Sequence, residues 1–182
     1  MRKLSAYLLM SLDGVVEEPG EWMRDYDDEM QTHLLETINE QDAVLLGRVA
    51  YQEWATVWPN ANFEPAFKRF INAVPKYVVS STLSRVDEWQ PATLIKENIA
   101  QAIARLKQQP GKTIGVHNSI TLVRSLLQLG LLDELVLTVF PVLAGKGRHL
   151  LTPEDSLQRL KLVSSQPTKT GGHNLIYRPI PH

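Results

Sequence analysis

No cysteine occurs among the 182 residues. Disulfides, thiolate metal sites and cysteine nucleophiles are thereby excluded together, and the usage fits a reducing compartment, with the cytoplasm as the expected location. An excess of charge is lacking too. With 19 Lys and Arg against 20 Asp and Glu, no overall field draws the chain to nucleic acid or to an anionic membrane surface, and neither is expected as a partner. No apolar run approaches the roughly 20 residues that cross a bilayer. The opening MRKLSAYLLMSLDG sets basic residues before an apolar run, as a signal peptide does, but that run ends at Asp13-Gly14 without an A-x-A site, so a first strand is expected instead. The histidines at 33, 117, 149, 173 and 182 form no i, i+4 pair and no H-E-x-x-H pattern, so no metal site is expected.

What is present is an ordinary globular composition, 43% hydrophobic and 21% charged, on a chain long enough for one domain with a substantial core, expected to span 1–182. Apolar segments at residues 3–11, 42–47, 76–81, 93–95, 113–116 and 134–143 are strand candidates. Several are apolar almost throughout, as strands covered on both faces are, which points to a largely parallel sheet between helices. The stretch NIAQAIARLKQQPG puts Ile99, Ala102, Ile103 and Leu106 on one helical face, with Asn98 as the expected cap and Pro110-Gly111 as the stop. In NSITLVRSLLQLG, Asn118 or Ser119 caps, Val123, Leu126 and Leu127 form the stripe, and Gly130 supplies a left-handed end. Helices are also expected over 26–38 and 64–72, and a loop over 57–65. Two alternating segments, 159–166 and 173–179, joined through Thr170-Gly171-Gly172, predict a hairpin, so the α/β sheet should finish in antiparallel strands.

Ligands of open α/β sheets gather beyond the carboxyl ends of the strands, where free amides at helix starts favour anions. Gly47-Arg48, Ser80-Ser81-Thr82 and GVHNS (Gly115, Val116, His117, Asn118, Ser119) each follow an expected strand. Gly47 would let a phosphate reach the backbone, Arg48 would add a charged fork, and the hydroxyls would donate to a sugar or phosphate. Singly, each is equally a turn glycine, a strand-end serine or a helix cap, and it is their shared position that carries weight. Gly145-Lys146-Gly147 begins a G-x-G without its third glycine and is expected to form a turn, with Lys146 and Arg148 near an anionic ligand as the alternative. The tryptophans are expected as core or interface anchors, Trp22 alone being placed to touch a planar ligand.

Together, SLDGVV, LLGRVAYQEW, KYVVSSTL and above all LVRSLLQLGLLDELVLTVFPVLAGKGRHLL resemble the dihydrofolate reductase-like family that includes the reductase domain of riboflavin biosynthesis. The resemblance spans residues 4 to about 177, and G-L-x-D-E-L followed by P-V-x-x-G-x-G (130–147) is its most specific part. It implies one α/β domain, often a homodimer, binding NADPH across the strand ends and reducing a planar nitrogen heterocycle, a pyrimidine or pteridine-like ring. It implies that Gly47 and Arg48 meet the cofactor's phosphates. Ser80, Ser81 and Thr82 would lie near the adenosine ribose and its 2'-phosphate, and residues 115–119 would hold the pyrophosphate. GVHNS has one glycine where the family has two or more. Asp27, beyond Trp22, matches the carboxylate that protonates substrate in dihydrofolate reductases, and Asp13 falls where the first strand meets the substrate cleft. The alternative is a homodimer that keeps the fold and a nucleotide but has lost turnover.

Overall fold

The computed structural model describes residues 1–181. Eight strands, β1 (Leu4–Ser11), β2 (Gln41–Gly47), β3 (Lys76–Val79), β4 (Ala92–Ile95), β5 (Thr113–His117), β6 (Glu134–Phe140), β7 (Leu160–Pro167) and β8 (His173–Pro179), form one sheet in the order β4-β3-β2-β5-β1-β6-β8-β7. Pairing is parallel from β4 across to β6. The final two strands are antiparallel.

Strand periodicity divides the apolar residues between two layers. Leu4, Ala6 and Leu8 of β1, Ala43 and Leu45 of β2, and Ile114 and Val116 of β5 face α5 (Ile99–Gln108) and α6 (Ile120–Gln128). On the opposite face Tyr7, Val44 and Leu46 pack against α2 (Asp28–Asn39), α3 (Arg48–Val57) and α4 (Pro65–Ala73). A short α1 (Pro19–Trp22) follows β1. With both faces covered, continuous apolar runs are what the central strands require. β7 is the edge strand and mostly exposed.

Several local expectations needed correction. α2 starts at Asp28 rather than 26, because the Asp27 side chain accepts from Met30 N and sets the first turn. Asn98 does not cap α5 through its side chain; it enters at φ 51, in the left-handed region. Ser119 occupies the N-cap of α6, yet its hydroxyl bonds outside that helix. The loop over 57–65 contains one turn of 3-10 helix, Trp58–Asn60.

The motif 130–134 also finds its physical reason here. Gly130 ends α6 at φ 64. Asp133 accepts from Leu4 N at 2.7 Å and from Lys107 Nζ at 2.6 Å, tying the starts of β1 and β6 to α5. Glu134 accepts from Lys3 and Arg178. These contacts lie at the amino ends of the strands, and they build the sheet rather than a ligand site.

Candidate active site

At the carboxyl end of β2 the chain passes through Gly47, the N-cap of α3, which has no side chain to cap with. At the end of β5 it turns through Asn118, at φ 45, into Ser119 and α6. Ser119 Oγ accepts from Gly47 N at 2.9 Å and donates to the His117 carbonyl at 2.8 Å, clipping the two strand ends together. Neither helix start is therefore capped by its own side chain. The first-turn amides of α3 and α6 face a cleft of about 660 Å³ whose lining includes Gly47, Arg48, Asn118, Ser119 and Arg148.

Two converging helix starts and an arginine suit phosphate oxygens, because the free N–H groups and the helix dipoles carry the same sign. Arg48 donates to Gln52 at 3.0 Å and has no carboxylate partner among the described residues. A Cβ at Gly47 would meet only ordinary contacts, with Ser119 Oγ 3.7 Å away. Glycine there is not demanded by crowding, and its own amide is taken by Ser119, so the amides turned to the cleft are those of the residues that follow it. The same lining also holds Glu17, ion-paired with Arg148 at 2.5 Å, together with Glu18 and Glu53.

A second cleft, of about 510 Å³, opens beside the first on the α2–α4 side. Tyr7, Tyr26, Trp54, Trp58, Phe67 and His117 line it, and Glu64 is the carboxylate among its lining residues. Burial pushes the Tyr7 hydroxyl up to about 12 and raises Tyr26 as well, so both remain phenols. Burial lowers His117 to about 4, which leaves it neutral. Glu64 precedes α4 at φ 45 and accepts from Gln31 Nε2 at 3.2 Å. The two clefts share Val16, Pro19, Asn118 and Ile120, so they meet.

Not every residue expected at the site reaches it. Gly115 and Val116 lie inside β5, paired with Ser5 and Ala6 of β1 and with Val44 and Leu45 of β2, and only Asn118 and Ser119 form the turn. His117, the last residue of β5, faces the aromatic cleft, since period-2 alternation turns it away from Val116. Ser80 Oγ accepts from Thr82 N and Leu83 N, closing the turn after β3. That turn follows Val79, which lines the first cleft; Ser80, Ser81 and Thr82 are not in its lining.

The acids fare similarly. Partial desolvation would raise Asp27, but hydrogen bonds from Met30 N–H and from Thr170 and Thr168 outweigh it and hold the carboxyl at about 2. It lines neither cleft. Asp13, also at about 2 through Ser11 and the Ala144 and Gly145 amides, fastens the loop after β6 to the turn after β1. Trp22 donates to the Glu17 carbonyl at 2.8 Å and stands edge-on to Phe140, outside both linings. Lys146 is exposed away from the lining, whereas Arg148 contributes to it.

The aromatic wall escaped the sequence reading. Trp54, Trp58 and Phe67 pack ring against ring at 4.8–5.7 Å around the 57–65 segment. The signal was there, in aromatics spaced across a Pro- and Asn-rich segment, but the loop's own sequence does not say which wall it builds.

An amide-lined cleft running into an aromatic one, at the carboxyl ends of a mostly parallel sheet with an antiparallel finish, defines a dihydrofolate reductase-like domain. The model of the RibD C-terminal domain matches residues 2–173, and the chain belongs to that family. It is 29% identical over 182 residues to the uncharacterized protein YyaP of Bacillus subtilis (strain 168), covering 97% of this chain and 94% of that one. Among solved structures, a Shewanella sp. PV-4 protein named for riboflavin biosynthesis superposes with a TM-score of 0.74 at 18% identity, covering 98% of this chain and 99% of the other. Dihydrofolate reductase from Enterococcus faecalis, complexed with NADP(H), gives 0.65 at 13%, covering 97% and 96%. At such identities these two likenesses show the fold.

Proposed function

We propose that the protein is an NADPH-dependent reductase of a planar nitrogen heterocycle, a pyrimidine such as 5-amino-6-(5-phosphoribosylamino)uracil or a pteridine-like ring. The supporting observation is the junction of the two clefts at Val16, Pro19, Asn118 and Ile120. One cleft suits phosphates, the other suits a flat ring, and their meeting brings the hydride donor beside the acceptor carbon, a ring C=N carbon in a pteridine or the sugar C1 of the ribosylaminouracil in its open-chain imine form. The residues fit a nicotinamide dinucleotide: Gly47, Arg48, Asn118 and Ser119 would hold its phosphates, with the turn Ser80, Ser81, Thr82 beyond Val79 toward the adenosine end. When bound, the cofactor supplies a hydride, and the protein's work is to orient, to exclude water and to manage one proton.

Reduction of a C=N bond needs a proton on nitrogen. Asp27 lies outside the lining of both clefts and its cap bonds keep it ionised, which favours another source for that proton. Within the aromatic cleft Glu64 is the carboxylate placed to pass a proton, directly or through water, while Tyr7, Tyr26 and neutral His117 orient the ring.

The carboxylates Glu17, Glu18 and Glu53 in the first cleft and the single glycine of GVHNS favour a second reading, a nucleotide-binding protein without turnover. Titration with NADPH and NADH, followed by tryptophan fluorescence, separates the readings. NADPH is expected to bind, and Arg48→Ala to weaken it about tenfold or more, the size of a lost charge-assisted hydrogen bond. A larger loss for NADPH than for NADH places Arg48 on the 2'-phosphate; equal losses place it on the pyrophosphate. Binding without oxidation across a panel of heterocycles supports the second reading, and binding of neither nucleotide overturns both.

A homodimer would cover Leu157, Leu162, Val163 and Ile180, exposed on and beside edge strand β7. No described helix is long and apolar enough to cross a membrane. We assign the cytoplasm on the absence of cysteine alone.

A further inference from the structure

Gly115 is a glycine for a reason unrelated to phosphate. Its backbone is paired on both sides within β5, and a Cβ there would overlap the side-chain amide of Gln41. Gln41 opens β2 just before an irregularity in pairing between residues 41 and 43, and it is 6% exposed. Its Oε1 lies 2.8 Å from His117 Nε2. Two residues along the same strand face, the missing side chain at 115 is the space in which Gln41 reaches the imidazole.

We infer that Gln41 fixes His117 in one tautomer, Nε2–H, and that His117 Nδ1 thereby serves as a hydrogen-bond acceptor at the floor of the aromatic cleft, selecting planar heterocycles that present an N–H donor. A carboxamide oxygen accepts only, so the facing ring nitrogen carries the proton and the other is left as acceptor. The imidazole lines the cleft, and Tyr7, Trp54, Phe67 and Phe70 surround it at centroid distances of 5.6–6.4 Å. Nδ1 has no partner within the described residues. His117 is 2% exposed, and its Nδ1 is not among the fully buried side-chain atoms without a partner, which in this region are His33 Nε2, Gln41 Nε2 and Trp58 Nε1. A few fixed polar groups in an apolar pocket are what set ligand orientation. Here Gln41 acts through His117 and is a positioning residue.

The inference rests on the part of the function proposed above in which the aromatic cleft takes the heterocycle, and not on NADPH. Its tests use the full chain. In histidine-labelled protein at neutral pH, ¹⁵N spectra are expected to show His117 as the Nε2–H tautomer; Gln41→Ala and Gly115→Ala, which removes or displaces the carboxamide, are expected to mix the tautomers. An Nδ1–H form in the unaltered protein overturns the inference without any ligand. The binding probe is lumazine against 1,3-dimethyllumazine, which keeps the flat ring and lacks the two N–H groups. Lumazine is expected to bind about tenfold more tightly, the cost of one buried acceptor left unpaired. His117→Phe, which keeps an aromatic ring, is expected to abolish that preference. Equal binding of both probes, no binding of lumazine, or a preference surviving in His117→Phe overturns it. NADPH titration reports separately: lumazine preference without NADPH binding removes the cofactor reading and leaves this inference standing.

Discussion

A carboxylate can be held at low pKa by the bonds that also disqualify it as an acid. Asp27 accepts from Met30 N and from Thr170 N and Oγ1, linking the start of α2 to the β7–β8 hairpin. Its folded pKa of about 2 lies below the unfolded value near 4, so its contribution is full above about pH 4 and fades as pH falls through about 2. Urea unfolding of Asp27→Asn is expected to show a deficit against the unaltered protein that is constant above pH 4 and shrinks toward pH 2. A deficit that ignores pH contradicts this account of Asp27. The sequence could place Asp27 beside Trp22 but could not show where its oxygens point, because their partner, Thr170, is 143 residues away. Gly47 and Arg48 were legible because strand, glycine and helix are contiguous there. Tyr7 and His117 were harder: each is one residue of an apolar strand, and which face it takes depends on strand register.

Among the elements, β1 and β2 were readable to within a residue at each end, since burial on both faces imposes a run of apolar residues, whereas the run expected over 134–143 ends as a strand at Phe140. The hairpin was legible from its glycines, and Gly172 is required by space, with Val139 O at 2.7 Å from a Cβ built there. The family's most specific motif is explained at this scale as well. Asp133→Ala removes acceptors from Leu4 N and Lys107 at the far end of the sheet from the clefts. It is expected to lower stability by about 1–3 kcal/mol, a few degrees in melting temperature, while nucleotide affinity is unchanged. Weakened NADPH binding in a folded Asp133→Ala protein would show that the motif reaches the site. The aromatic wall illustrates the limit of local patterns: Trp54 belongs to α3, Trp58 to the 3-10 turn and Phe67 to α4, and only the tertiary fold assembles them.

For the whole molecule, the exposed apolar residues around β7 lead to a test of assembly. Sedimentation of the unaltered protein is expected to give a dimer and Leu162→Glu a monomer; a monomeric unaltered protein removes the dimer. The larger claim is that two chemically different clefts meet at Val16 and Asn118. The most direct measurement is an interligand NOE experiment on the protein with NADPH and lumazine together, observing the nicotinamide C4 protons and the lumazine ring protons. The account predicts simultaneous binding with a cross-peak between the two rings. Displacement of one ligand by the other, or joint binding without that cross-peak, would contradict it.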